Sequence, residues 1–284
     1  MKKHLFFLAL LLLDYTLGNT TQAQTTSKVE ACFSPYQEHT IASQHLNEER
    51  NYWVSLPMRY DTSKTYPVLY VLDAEWRFGL IQSITYDLAG NKKIPGHIIV
   101  GIPHVDWEKQ RGIDLTFSQS RMEYDGEIVD STSYNASNSG GAAPYYRYLT
   151  EELLPDVNQH YATNGENILI GHSYGGYFGS YILSMQHPFS ALQIYDPSIW
   201  YSNGEVLEQV KKGIPKKDKV SVFITYQPKP RFHANKIKAL IRLLKKQDNI
   251  NLQYQFYRNE THNALYMYSF LEGMHRLYGI DYPH

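Results

Sequence analysis

Near the middle of the chain a serine is framed by glycines: Gly171-His172-Ser173-Tyr174-Gly175-Gly176. A serine hydroxyl is a weak nucleophile at neutral pH. It needs a base to take its proton and N–H donors to hold the oxyanion formed on the attacked carbonyl. G-x-S-x-G spacing meets the geometric half of that need when a strand precedes it and a helix follows, because the sharp turn exposes the hydroxyl and aims a backbone N–H. Both flanks are present. "NILI" is a buried-strand run directly before Gly171, and "YGGYFGSYILSMQHP" is a small-residue-rich helix candidate that stops before Pro188. The start of that helix also favours negative charge beside Ser173. The alternative is a glycine-rich turn carrying a surface serine.

The base is sought after a late strand, and His262 in "YRNETHNALYMYSF" has that position. His275, inside the final helical pattern, and His233, after the preceding strand, are rivals. His172 is adjacent to the serine, and neighbouring side chains on such a turn diverge. The oxyanion donors are expected to be the backbone N–H of Tyr174 and, from the end of "PVLYVLDAEWRF", that of Ala74 or Glu75. Asp73 in that loop is read as structural.

Seven β-rich runs carry these residues: Asn51–Pro57, Pro67–Asp73, His97–Pro103, Asn167–His172, Ala191–Asp196, Val220–Tyr226 and Asn251–Tyr257. "PVLYVLD" and "NILIGH" are almost continuously apolar, the pattern of strands buried on both faces. Helical periodicity lies between the runs, at Tyr145–Tyr161 with a kink at Pro155, at His233–Gln247 and at Ala264–Tyr278. The alternation predicts an α/β fold with a central, mostly parallel sheet and helices on both faces. Glu30–Gln44 with Asn51–Pro57 is expected to form an antiparallel edge. Ser118–Pro144, rich in Ser, Asn and Gly, reads as a long loop of the functional or mobile kind.

The 284 residues begin with Lys2-Lys3, an apolar run from Leu5 to Leu13, and small and polar residues ending at Gln24. That order predicts a signal peptide over residues 1–23 and a single domain over 24–284, secreted or periplasmic. The apolar run is too short to span a bilayer comfortably, and no stable membrane insertion is expected once it is removed. A net charge of −1 makes no electrostatic case for nucleic acid. The single cysteine, Cys32, has no internal partner and no metal-ligand spacing around it. The chemistry requires no cofactor and no metal, and the partner expected is a small-molecule ester. The 25 tyrosines suit pockets for sugars and aryl groups, although most tyrosines are core or surface residues in any fold.

With these residues placed, the chain resembles the "Putative esterase" (esterase D-like) family of α/β-hydrolases, which includes enterochelin-type siderophore esterases, feruloyl and acetylxylan esterases and mycolyltransferases. "YPVLYVLDAEWRF" is similar to the family's early strand and oxyanion loop. "IIVGIPHVDWEKQRGIDLTFS" is similar to its next strand and Arg-x-x-Asp segment, here Arg111 and Asp114. "YYRYLTEELLPDVNQHYAT", "GHSYGGYFGSY" and "DPSIWYSNG" continue the likeness through nearly all of the chain beyond the leader. The resemblance implies an α/β-hydrolase fold, with Ser173 and His262 as nucleophile and base of a serine esterase. It leaves acyl transfer, or a binding protein without catalysis, as alternatives.

The family commonly carries an acid after the strand reading "VSVFITY", yet "QPKPRFHANK" follows here without Asp or Glu. Three readings stay open: Asp196 at the end of the strand after the nucleophile helix, Glu260 on the loop of His262, or no acid at all. An acid matters because it fixes the imidazole tautomer and stabilises the imidazolium. Trp76, Trp200 and Tyr201 are candidate substrate-binding residues, together with the Tyr174 side chain. Lys229 and Arg231 are candidates for an anionic substrate such as a ferric siderophore.

Overall fold

The computed structural model describes residues 35–280 apart from 216–218. The expected signal peptide and Cys32 lie outside the described residues.

All seven expected strands are present, and one more precedes them. They are β1 (Gln37–Ser43), β2 (Glu48–Ser55), β3 (Tyr66–Leu72), β4 (Ile98–Ile102), β5 (Thr163–His172), β6 (Ala191–Tyr195), β7 (Val220–Tyr226) and β8 (Ile250–Phe256). They form one sheet in the order β1-β2-β4-β3-β5-β6-β7-β8. β1 pairs antiparallel with β2 and β2 antiparallel with β4, while every other pairing is parallel. The antiparallel edge and the parallel centre are as expected. β3 starts a crossover to β4 on one side and adjoins β5 on the other, so the chain reverses its winding direction there. A crevice opens at the carboxyl ends of strands where winding reverses. Asp73 and Ser173 directly follow β3 and β5.

The β3 residues Pro67–Leu72 are all buried because both faces of the sheet are covered. α1 (Ala74–Gly90) and α8 (Leu265–Leu277) pack on one face around Phe78, Ile81, Phe270 and Met274. The other face carries α3 (Ala142–Arg147), α4 (Leu154–His160), α5 (Tyr174–Ile182), α6 (Glu205–Lys212) and α7 (Arg231–Leu244), around Tyr148, Phe178, Val206 and Leu240. α2 (Trp107–Leu115) lies between β4 and the long loop.

Three helices were not expected. The buried stripe of α1 runs Ala74, Phe78, Ile81, Gln82, Thr85, Leu88, and its polar members erase the apolar periodicity. α2 turns Asp114 inward beside Leu115, and α6 has only eight residues. The expected kinked helix at Tyr145–Tyr161 is α3, a π-helical stretch (Tyr148–Leu153) and α4. Pro155 has no N–H to donate, and its ring crowds the carbonyl four residues back; the widened turn before it relieves both. The Ser118–Pro144 region is a loop up to α3, with one isolated bridge between Met122 and Ile128. It is tied down at Tyr201, whose hydroxyl donates to the Ser118 carbonyl (3.0 Å).

Candidate active site

Ser173 sits at φ 59°, ψ −116°, between the last residue of β5 and the first of α5. A serine pays to be held there, and surrounding hydrogen bonds must impose the conformation. Its N–H donates to the Tyr195 carbonyl (3.1 Å), and its carbonyl accepts from Tyr177 (2.9 Å) and Ser198 (3.0 Å). The glycines are required by close approach: a Cβ at Gly171 would lie 2.3 Å from the Gly175 carbonyl oxygen, and one at Gly176 would lie 2.9 Å from Pro197 Cβ. The Ser173 Oγ is 3.4 Å from Ser198 Oγ, which comes from the "DPSIW" segment.

His262 follows β8 on the loop leading to α8. Its Nδ1 is 2.7 Å from Asp196 Oδ2. Of the two candidate carboxylates, Asp196 is the one that meets His262; among the described residues Glu260 forms no hydrogen bond with it. Asp196 follows β6, with its N–H donating to the Thr225 carbonyl (2.8 Å) and φ at 38°, a left-handed conformation that Asp tolerates better than most residues. Its side chain is fully buried, whereas that of His262 is 38% exposed, so the pair reaches the cleft through the imidazole alone. Burial opposes the Asp196 charge, but hydrogen bonds from His233 and His262 outweigh it and hold the carboxyl well below its usual range. The position after β7 where the resemblance implies an acid is Gln227. Its Nε2 donates to Asp196 Oδ2 (3.1 Å) and its backbone N–H to Oδ1 (3.3 Å). The amide thus supports a carboxylate on the neighbouring strand, and the missing acid no longer argues for a non-catalytic protein.

His172 does turn away from the serine and has a task of its own. Its Nε2–H donates to the His262 carbonyl (2.6 Å), fixing the loop that carries the base. Burial and the neighbouring His262 push its pKa down to about 3, so the ring is neutral at physiological pH. The rival His275 lies in the last turn of α8. The rival His233, on α7, also meets Asp196, but at the other oxygen: Nε2 to Oδ1, 3.0 Å.

Across the crevice, Asp73 caps α1 in a left-handed conformation (φ 56°, ψ 43°). Burial disfavours its charge, yet it accepts from Arg111 Nε (2.6 Å) and Nη2 (2.9 Å) and stays ionised. His104 bridges it to Asp114, with Nε2 to Asp73 3.3 Å and Nδ1 to Asp114 2.8 Å; Arg50 then holds Asp114 in a two-pronged pair at 2.7 and 2.8 Å. Burial works against a charge on His104, but the two carboxylates prevail and raise its pKa to about 9. Asp73 is therefore structural, as expected, and Arg111 and Asp114 belong to the frame that pins the loop after β3. Sequence reasoning missed Arg50 and His104. The one available signal was the position of His104 just beyond β4, at the carboxyl end of a parallel strand.

Two clefts share Ser173 and His262 as walls. The first, about 650 Å³, is lined also by Glu75, Trp76, Arg77, Trp107 and Arg111. The exposed Trp76 and Trp107 rings meet edge to face at 4.5 Å, and the Arg77 guanidinium stacks on Tyr266 at 4.1 Å. The second, about 840 Å³, is lined by Tyr124, Tyr174, Trp200, Lys229 and Pro230 among others. Of the two candidates for the second oxyanion donor, Glu75 lines the first cleft and Ala74 does not: Ala74 is buried against Gly101 and Phe78 in the core beneath α1. Tyr201, an expected substrate-binding residue, lines neither cleft: it is fully buried, with its hydroxyl bonded to the long loop. It follows Trp200 in a tight turn, so one ring faces the cleft and the next faces the core. Arg231 opens α7, exposed and away from both clefts, while Lys229 lines the second.

An eight-stranded sheet with a strained serine after its central strand and a His–Asp pair beyond the next strands is an α/β-hydrolase, and comparison with known proteins narrows the class. The profile of the family described as "Putative esterase" matches residues 43–276, and the chain belongs to that family. It is a carboxylic ester hydrolase. It is similar to the ferri-bacillibactin esterase BesA of Bacillus subtilis, with 26% identity over 208 residues, 69% of this chain and 67% of the relative. It is also similar to an IroE-like serine hydrolase from Shewanella oneidensis, at 27% identity and a TM-score of 0.77, covering 86% of this chain and 80% of that one. The BES protein from Bacillus cereus shares the fold at 23% identity and a TM-score of 0.72, covering 84% and 94%. Among the described residues no helix is long and apolar enough to cross a membrane.

Proposed function

We propose that the protein is a serine esterase working through an acyl-enzyme, with Ser173 as nucleophile, His262 as general base and Asp196 as the acid behind it. Ser173 Oγ attacks the ester carbonyl while His262 takes its proton. The N–H groups of Tyr174 and Glu75, each in a first helical turn without an intrahelical acceptor, receive the oxyanion. His262 then protonates the departing alcohol. Water, deprotonated by the same imidazole, releases the acid and restores the serine. The observation that carries this reading is the 2.7 Å contact between His262 Nδ1 and buried Asp196 beside the strained Ser173. Ser173→Ala is expected to abolish hydrolysis of p-nitrophenyl acetate and labelling by a fluorophosphonate probe. Full activity in that variant overturns the assignment.

For the substrate we infer an aromatic, anionic ester of the siderophore type. Arg77 forms no ion pair among the described residues, and it stands in a cleft with two exposed indoles. That combination suits a charged aryl group, and the names of similar proteins point the same way. A panel of short p-nitrophenyl esters, feruloyl sugars and a ferric tricatecholate trilactone tests it; preference for the feruloyl sugars would sink it. Export is part of the proposal, on the strength of the charged-then-apolar order of residues at the start of the chain, which is that of a signal peptide. N-terminal sequencing of mature protein beginning near residue 24 is the expected result.

A further inference from the structure

The mechanism above uses one histidine on Asp196, yet the carboxylate holds two. We propose that His233 is a positioning residue for catalysis: its Nε2–H clamps Asp196 Oδ1 so that Oδ2 is presented to His262. The proposal rests on the serine-esterase reading. His233 Nε2 and His262 Nδ1 lie 3.0 and 2.7 Å from different oxygens of the same carboxylate, and the two rings are 5.9 Å apart and nearly perpendicular.

The carboxylate turns freely about its last bond unless both oxygens are held. Oδ2 has two donors, His262 and the Gln227 side chain, whereas Oδ1 has His233 and a longer contact from the Gln227 backbone (3.3 Å). Without His233 the buried oxygen retains one weak donor, and rotation of the group to recover a better one takes Oδ2 away from His262. To donate to a carboxylate, Nε2 must carry the proton. That leaves Nδ1 facing no partner, and it is a buried nitrogen without a hydrogen bond. An orphaned buried nitrogen costs stability. A ring retained only for packing would not need that arrangement, and a phenyl ring would fill the space without the cost.

The experiment compares His233→Phe, His233→Gln and His233→Asn in the purified protein on p-nitrophenyl acetate. EDTA is present because Asp196, His233 and His262 are compact enough to bind an added metal ion. Sites are counted by fluorophosphonate titration. Gln places its amide nitrogen where Nε2 lies; Asn stops short of Asp196. His233→Phe and His233→Asn are expected to lose about 10- to 100-fold in kcat, the range for removing a partner that orients a working ligand, with KM within about twofold. His233→Gln is expected to restore kcat to within about threefold of the parent. A wild-type kcat in His233→Phe, or a His233→Gln no better than His233→Asn, overturns the clamp. If the Phe variant does not fold, the Gln and Asn pair decides by itself. Failure of the underlying reading is separate: it appears as activity in Ser173→Ala, whatever the His233 variants do.

Discussion

Two buried carboxylates, Asp114 on α2 and Asp196 after β6, are each held by a histidine, and their surroundings differ. Asp114, with Asp73, belongs to a closed array in which His104 links the carboxylates and Arg50 and Arg111 end the chain on both sides. Every member already has a partner of opposite sign. Asp196 belongs to an open array, since one of its histidines, His262, is partly exposed on the wall of two clefts. The closed array ties the loop after β3 to α2 and β2. The open one has an imidazole whose far nitrogen is available for a proton in transit. Residue types alone do not separate the two. What separates them is whether the last group in the chain is an arginine, which does not lose its proton, or a histidine at the solvent boundary.

The comparison breaks most sharply at Asp196. Asp196→Asn is expected to lower kcat by about 10³- to 10⁴-fold, because the amide favours the wrong tautomer of His262. Glu260→Gln is expected to leave kcat unchanged, so equal effects from the two variants, measured on the same ester, would dissolve the open array. Asp114→Asn is the matching change in the closed array. It leaves Arg50 and His104 buried without their shared partner, and a loss of about 3–5 kcal/mol in urea unfolding is expected; a loss below about 1 kcal/mol would show the array to be dispensable.

The smaller effect is a pH dependence. His104 has its pKa raised to about 9 from an ordinary 6.5. Its contribution is therefore complete below about pH 6.5 and is lost as pH rises through about 9, since in that window the folded chain binds a proton that the unfolded chain does not. A decline of about 3 kcal/mol across the window is expected, and His104→Gln should flatten it. A slope unchanged by that substitution would take His104 out of the account.

Several parts of this site were legible in the chain. The elbow was, because its strand, glycines and helix are contiguous and each demands a recognisable residue type. The late histidine was, because its place follows from strand order. The helix α1 was not, since Gln82 and Thr85 occupy its buried stripe; Gln82 meets Ser55 beneath it (2.7 Å), a contact no local pattern announces. Tyr201 misled for the opposite reason: it has the composition of a pocket residue, while the turn at Trp200 sends its ring into the core. His104, His233 and Gln227 each lie just past a strand or early in a helix, where a polar residue is ordinary. Their meaning appears only with the partner in view.

The sequence by itself determined that a nucleophilic turn follows a buried strand, that parallel strands alternate with helices, and that a histidine waits after the last strand. Those features are local, and their physical causes act over a few residues. Only the tertiary structure decided which carboxylate meets His262. Asp196 is 66 positions away in the chain, and the side-by-side order of β6, β7 and β8 brings its exit to the histidine loop. Glu260, two residues from His262, was the nearer choice by sequence and plays no part in the pair. A 2.7 Å contact is set by the stacking of strands 4.8 Å apart or so in the sheet, which chain separation does not encode.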